Sequence, residues 1–507
     1  MKRFISITRR IFPVVIVLFL SHGTIFSQTH LDSLIDAAVE FAQIQLEKTI
    51  SEIGEDSTVH PSETIDSTHK WLAEGFKSWN NWWTSGYFSA CFWYMYQLTN
   101  EEKWRSYAEK WTAELEPMKE WEDFSNIADI IYFSFGNGYK ITQNPDYVTI
   151  LDEAATTYIK LYDPDVEAIK CWGGTWSKTR FAVVTDVLID NEFLFLTYQL
   201  TGNEEYFEIV TDHINKTIDY NIREDGSVWQ FVDFDVFGDP IGYINSQAYQ
   251  GAPTGTRWTR AHAWAINGLT QAYRYTRTQK YLDAAIRIAD FYIEHLPEDF
   301  VPPSDFDMPL DAENGRDAAA AALSCSGLFE LSQYAGDDKY RHYADSIMIS
   351  LCGPGYLAKG SDFSSILKRG QVRYTEPEKG LIYADAFFLE AILKYKGLYK
   401  YFIEGEGPIN SSSVEEAGPV PVQSASIRVV PNPVEDGIFS LMLHGHGDLN
   451  KVNIDLYDMT GKLIYNESAA ISSENPVMIE LKDIPPGIYI LTVTSDNMLF
   501  NRKIILK

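Results

Sequence analysis

Basic side chains are scarce for a chain of this size: 42 Lys and Arg stand against 71 Asp and Glu in 507 residues, a formal charge of -29. That imbalance excludes nucleic acid as a partner and excludes a broad polyanion-binding face, so an acidic ligand has to be met locally by a few placed cations. Cysteine is scarcer still. The four thiols, Cys91, Cys171, Cys325 and Cys352, show no CxxC spacing, which excludes a zinc site or a disulfide-rich scaffold and leaves buried free thiols as the expectation. No other ligand cluster has suitable spacing, and neither a metal nor an organic cofactor is expected. Long apolar runs are also missing. The segment IFPVVIVLFL at 11–20 is too short to span a bilayer, and no later segment reaches the length or apolarity of a membrane helix. Preceded by the basic MKRFISITRR and followed by small residues near Ser27, it reads as a signal peptide over residues 1–27.

What the chain has in plenty is aromatic surface, 14% of residues with 13 Trp and 30 Tyr. Flat rings with a polar edge suit both core packing and sugar rings. The 45% hydrophobic content is enough for a large core and more than one domain. From His30 to about Glu52 the apolar spacing predicts a helix. A disguised repeat follows. FWYMYQLTNEEKWRSYAEKW, FSFGNGYKITQNPDYVTILDEAA, FLFLTYQLTGNEEYFEIVTDHI, LTQAYRYTRTQKYLDAAIRIADFY and LFELSQYAGDDKYRHYADSI each read as an apolar helix, a short turn and an amphipathic helix. With the first helix and GLIYADAFFLEAILKYK, this predicts roughly twelve helices paired as inner and outer, an all-α (α/α)6 toroid over residues 28–403. Loops at its rim would carry the function. Residues 404–425 are a Pro/Ser/Gly-rich linker, and 426–507 alternate as strands of a small β-sandwich.

Within the helical part, FAVVTDVLIDNEFLF at 181–195 sets Asp186 and Asp190 in an apolar run. If the run is helical, residues four apart share a face. A carboxylate at an apolar wall then needs a partner or a raised pKa, which suits a general acid; a cap or a solvated groove is the other reading. Aromatic and charged loop segments at 82–86, 134–142, 225–235, 249–264 and 302–332 bring Trp83, Trp258, Arg260 and His262 to the expected funnel. There an Arg would grip a sugar carboxylate bidentately.

The order TSGYF, SFGNGYKIT, the Asp186 run with TGNEEY, DGSVWQFVDFD, YQG with WTRAHAW, VPPSDFD and RDAAAAALSCSGLFELS resembles the unsaturated glucuronyl hydrolases of glycoside hydrolase family 88. The resemblance implies an (α/α)6 barrel that removes the Δ4,5-unsaturated uronic acid from the non-reducing end of lyase-generated oligosaccharides, by hydrating the vinyl ether. It puts the family's acid/base aspartate on Asp186. The family's second aspartate falls on Asn126, its histidines on Gln230 and Tyr249, and a glutamine on His262, while Gln250, Gly251, Trp258 and Arg260 keep the pattern. Asp190 stands where the family has an asparagine. Three readings of these departures stay open: a retuned substrate, a second carboxylate supplied by Asp190 or Asp129, or a degenerate protein that only binds oligosaccharide. His262 is also a candidate acid/base, against the favoured reading of a satisfied loop histidine. The related unsaturated rhamnogalacturonyl hydrolases share the barrel and chemistry. Asp186 is then the proton donor, Arg260 holds the uronate, and Trp83, Trp258 and Tyr249 offer stacking surfaces. In the tail, PNP, YDMTGKLI and IPPGIYILTV resemble the type A sorting domain of the type IX secretion system. That implies the secretion machinery as a partner, and release or surface attachment.

Overall fold

The computed structural model describes residues 5–75, 82–171, 181–235, 238, 240–244, 255–311, 315–372, 376–409, 426–430, 434, 437–444, 449–458, 462–471, 477–482, 484–495 and 498–506, with 5–28 and parts of the tail described by backbone alone. The chain divides into two compact units, Met1–Ile409 and Asn410–Lys507.

The first unit is helical. After α1 (Ile5–Ile53) come α2 (Ser85–Thr99), α3 (Glu102–Ala113), α4 (Ile127–Ile131), α5 (Asn137–Thr142), α6 (Pro145–Tyr158), α7 (Asn191–Thr201), α8 (Glu204–Asn221), α9 (Thr259–Thr276), α10 (Gln279–Glu294), α11 (Ala318–Leu331), α12 (Lys339–Cys352) and α13 (Ile382–Tyr395). Short antiparallel strands fill the connections: β1 (Val59–Thr64) with β2 (Trp71–Gly75), β3 (Tyr162–Asp163) with β4 (Ala168–Ile169), and β5 (Phe181–Val184) with β6 (Phe231–Phe234) and β7 (Pro240–Ile244). The signal-peptide side chains lie outside the described residues, and the predicted first helix is the C-terminal half of α1. Among the described residues no helix is long and apolar enough to cross a membrane. All four cysteines are buried and unpaired.

One local device joins four of the five hairpins, and it shows why the repeat is hard to see in the letters. The carbonyls of Tyr96, Tyr139, Tyr198 and Tyr273 accept from the N–H of Asn100, Gln143, Gly202 and Arg277 at 2.7–2.8 Å. These four residues close their helices in the left-handed conformation. Just before each, Thr99, Thr142, Thr201 or Thr276 donates its hydroxyl to the carbonyl four residues back. The same hydroxyl accepts from the N–H two residues ahead. What repeats is a Tyr-x-x-Thr turn; the other letters are free.

The first helix of each hairpin is buried nearly all round, as in α9 and α11, whereas α3, α8, α10 and α12 bury one stripe. The buried helices touch in succession: α2 packs on α13, α13 on α11, α11 on α9, and α9 on α7. They meet in a buried ionic network. Lys140 contacts Glu192 at 3.3 Å, Arg274 contacts Glu192 at 2.6 Å and Glu330 at 2.7 Å, and Lys394 contacts Glu330 at 2.9 Å and Glu390 at 3.0 Å. Three cations and three carboxylates thus compensate one another. Burial alone would raise Glu192, but Arg274 and Lys140 pull its pKa down to about 2.

Two predictions are corrected here. Residues 181–195 are not one helix: β5 occupies Phe181–Val184, a tight 3-10 segment runs over Thr185–Asp190, and α7 starts at Asn191. The cause is tertiary. Phe181–Val184 pair with Phe231–Phe234, and α9 lies so close that a β-carbon on Gly268 would collide with the carbonyl of Leu188. The linker also begins later than residue 404. Gln199 Nε2 donates to the Gly407 carbonyl at 2.8 Å and the Ile409 N–H to the Tyr275 carbonyl at 2.7 Å, so this stretch belongs to the helical unit.

In the second unit, β8 (Ser426–Val430), β9 (Ile438–His444) and β12 (Val477–Glu480) form one antiparallel sheet, while β10 (Leu449–Asp458), β11 (Leu463–Ile471), β13 (Gly487–Ser495) and β14 (Met498–Leu506) form another. Phe439, Leu441 and Ile479 of the first share one apolar core with Val452, Ile454, Leu456, Leu491 and Val493 of the second. Alternation in the sequence reads directly onto these faces.

Candidate active site

The site is assembled at the N-terminal ends of the buried helices. Asp186 sits in the 3-10 segment, Tyr87 in the first turn of α2, and Asn126 and Asp129 at the start of α4. Arg260 and His262 lie in the first turn of α9, Asp317 caps α11, and Tyr383 begins α13.

Asp186 is partly open to solvent, whereas Asp129 and Asp190 are buried. Its Oδ2 accepts from Gln230 Nε2 at 3.1 Å. Desolvation raises the Asp186 pKa to about 7, against the pull of the Gln230 amide and the Arg260 charge and with the push of Asp129. An acid with that pKa holds a proton near neutrality and can also give it up. Gln230 is held in turn by backbone bonds. The Thr185 N–H donates to its carbonyl at 2.9 Å, and the Asn221 amide donates to the carbonyls of Val183 and Trp229 at 3.2 Å each.

The two acids of the 181–195 run part company. In a 3-10 segment, with about three residues per turn, positions four apart no longer share a face. Asp186 faces Gln230, while Asp190 Oδ2 accepts from the Tyr158 hydroxyl at 2.8 Å. Asp129 interacts with Asp190 and with the Tyr87 hydroxyl, and its Oδ2 accepts from Asn126 Nδ2 at 3.1 Å. Burial pushes both Asp129 and Asp190 upward, and the interaction between them couples the two.

Arg260 differs from its expected role. The residue is 3% exposed. It donates to the Tyr383 hydroxyl and, through Nη2, to the carbonyls of Gln371 at 3.1 Å and Val372 at 2.9 Å, with Asp317 Oδ2 3.7 Å from Nη1. A guanidinium so occupied ties α9, α11 and α13 together and lends its charge to Asp186 instead of reaching for a ligand. Trp258 is also buried, with the Arg260 guanidinium 4.8 Å from its ring centre, so it does not present an open stacking face. Trp83 is only partly buried and lies 5.2 Å from the Tyr383 ring.

Of the two readings of His262, its hydrogen bonds favour the satisfied histidine. Its Nδ1 donates to the Trp258 carbonyl at 2.8 Å, and its Nε2 accepts from the Val228 N–H at 3.2 Å. Burial lowers its pKa to about 3, so the imidazole is a neutral tether between α9 and the segment carrying Gln230. Tyr249, Gln250 and Gly251 lie outside the described residues.

Sequence reasoning passed over Tyr87, Tyr158, Asp317 and Tyr383. Only Asp317 had a signal: an Asp ahead of an alanine run is an N-cap, and its Oδ1 accepts from the N–H groups of Ala319 at 3.0 Å and Ala320 at 3.3 Å. Among the described residues no group of His, Cys, Asp and Glu is arranged to hold a metal ion.

The geometry can be set beside known proteins. The chain is 32% identical over 325 residues to an unsaturated glucuronyl hydrolase of Formosa agariphila, covering 62% of this chain and 80% of that one. It is similar in structure to an unsaturated glucuronyl hydrolase specific for heparin, with a TM-score of 0.67 and 27% identity over 72% of this chain and 98% of that one. It also shares the fold of the unsaturated glucuronyl hydrolase of Bacillus sp. GL1, described as responsible for the degradation of glycosaminoglycan, with a TM-score of 0.67 and 23% identity over 73% and 100% of the two chains. Residues 428–507 match the secretion system C-terminal sorting domain family.

Proposed function

This chain belongs to the unsaturated glucuronyl hydrolase family, and from that premise we propose that Asp186 is the proton donor with which it hydrates the vinyl ether of a terminal Δ4,5-unsaturated uronic acid. The enzyme is a glycoside hydrolase acting on the oligosaccharides that a polysaccharide lyase leaves behind. The observation that carries the assignment is the carboxyl of Asp186: partly open to solvent, held by the Gln230 amide at 3.1 Å and poised with a pKa of about 7. Asp186 gives its proton to C4 of the enol ether, and water adds at C5. The carboxylate left behind takes the proton from that water, so the acid is restored; the C5 hemiketal then opens and the remaining sugar is expelled. One carboxyl group serves both steps, so the separation rule for paired glycosidase carboxylates does not apply.

The scaffold reading is an (α/α)6 toroid, supported by the succession of buried helices and the return of α13 to α2. Its buried ionic network would keep the helices in register. Trp83 is the sugar-stacking surface that the burial pattern favours. The sorting domain at 428–507, together with a signal peptide at 1–27, supports export by the type IX secretion machinery to the medium or the cell surface.

The test is to incubate the enzyme with lyase-generated oligosaccharides from chondroitin, hyaluronan, heparin, ulvan and pectin and to follow loss of the enol-ether ultraviolet absorbance. Turnover of at least one, abolished by Asp186→Asn in a folded variant, is the expected result. Full activity in Asp186→Asn would overturn the assignment, and binding without turnover by the unaltered enzyme would leave a sugar-binding protein.

A further inference from the structure

We propose that Asp129 and Asp190 share a single proton and act as a positioning pair, whose one remaining negative charge keeps Asp186 in its protonated, donating form. The inference rests on the reading of Asp186 as proton donor.

The argument is a count of hydrogen-bond donors around four buried oxygens. Asp190 Oδ2 accepts from the Tyr158 hydroxyl, and Asp129 Oδ2 accepts from the Asn126 amide. The two remaining oxygens, Asp129 Oδ1 and Asp190 Oδ1, are buried and accept no hydrogen bond from the described residues; the Tyr87 hydroxyl interacts with Asp129 but is itself buried without a hydrogen bond among them. The two side chains nonetheless interact directly with each other. A carboxylate can only accept, so two ionised groups here would face each other with neither lone pair satisfied. A proton between them satisfies both, at the expense of one charge.

The described charged and titratable groups around the pair favour that balance. Tyr87 from α2 and Tyr158 from α6 are neutral hydroxyls, their pKa values raised by burial, and only Tyr158 donates to the pair. The Cys171 thiol is likewise pushed up by burial and by the nearby carboxylates. Asp186 is the remaining acid. Among the described residues the cation near the site is Arg260, which is ion-paired with Asp317 and bonded to Tyr383. No cation among the described residues bonds to either member of the pair, so a second charge there has nothing to offset it. Asp129 in turn raises Asp186, which is the direction a general acid needs. The arrangement also accounts for the amide at position 126. An Asn there donates to Asp129, whereas an Asp would add a third carboxylate to a site already short of donors.

Two readouts test the pair. In kcat/KM profiles the alkaline limb reports loss of the Asp186 proton. Asp190→Asn should leave that limb where it is, because Asp129 keeps the one charge. The double variant Asp129→Asn/Asp190→Asn should move it downward by about one pH unit, the low end of the effect of a close like charge. A single substitution that moves the limb as far as the double one would overturn the proposal, as would a double variant with no shift. The second readout needs no turnover. In an Asp186→Asn background at pH 7, infrared difference spectra should lose one protonated-carboxyl C=O band when Asp190→Asn is added. Retention of every such band would overturn the shared proton. Failure of the enzyme to process any unsaturated oligosaccharide would instead count against Asp186 as donor, and the infrared result would still decide whether the pair holds a proton.

Discussion

Gln230 and Asp186 come from segments 44 residues apart and meet at 3.1 Å, amide to carboxylate, at the partly open edge of an apolar wall. The amide stabilises the ionised form of Asp186, so it works against burial. Gln230→Leu should therefore raise the Asp186 pKa and carry the alkaline limb of the pH–rate profile upward. It should also slow turnover about tenfold, because the carboxylate formed on proton transfer loses a hydrogen bond worth about 1.5–3 kcal/mol. A pH–rate profile measured on both enzymes checks the two effects together.

An acid kept protonated by burial also leaves a mark on stability. The pKa of Asp186 is raised in the folded protein, so the native state holds its proton over a range where the unfolded chain has released it. Stability therefore falls as pH rises from the unfolded value of 3.8 through about 7. Asp186→Asn should abolish turnover yet raise the melting temperature by about 2 °C at pH 8, with the gain vanishing near pH 4. Calorimetry at the two pH values separates this from a gain that does not depend on pH.

His262 should behave as a tether. His262→Ala removes a bond to the Trp258 carbonyl and the acceptor for the Val228 N–H, both buried, and should cost about 2–3 kcal/mol in denaturant unfolding. The shape of the pH–rate profile should not change. Loss of one limb of that profile would show that the imidazole titrates in the reaction after all.

Gly268 is the sharpest packing constraint on the site. A methyl group there meets the Leu188 backbone carbonyl rather than a flexible side chain, so the 3-10 segment has to move. Gly268→Ala should lower stability by about 2–3 kcal/mol. It should reduce kcat by more than the equivalent loss at a distant site, because Asp186 is two residues from Leu188 and a small displacement of a catalytic group is costly. Comparison with an equally destabilising core substitution in α12 provides the control.

Local periodicity carried much of this protein. Five hairpins, the contrast between fully buried and one-sided helices and the alternating strands of the tail were legible, because each depends on residues three or four apart, or on alternate residues of a strand. The ordered motifs also pointed to the family. What the letters could not show depended on partners far along the chain. The run 181–195 has helical composition, yet pairing with Phe231–Phe234 and the close approach of Gly268 divide it into strand, 3-10 segment and helix. That division separates Asp186 from Asp190 and leaves the first partly open and the second buried. Arg260 and His262 stand in the first turn of α9, but their hydrogen bonds go to Tyr383, Gln371, Val372, Trp258 and Val228. A sequence names the donors and acceptors; only the packed structure decides which of them are already satisfied and which remain to act on a substrate.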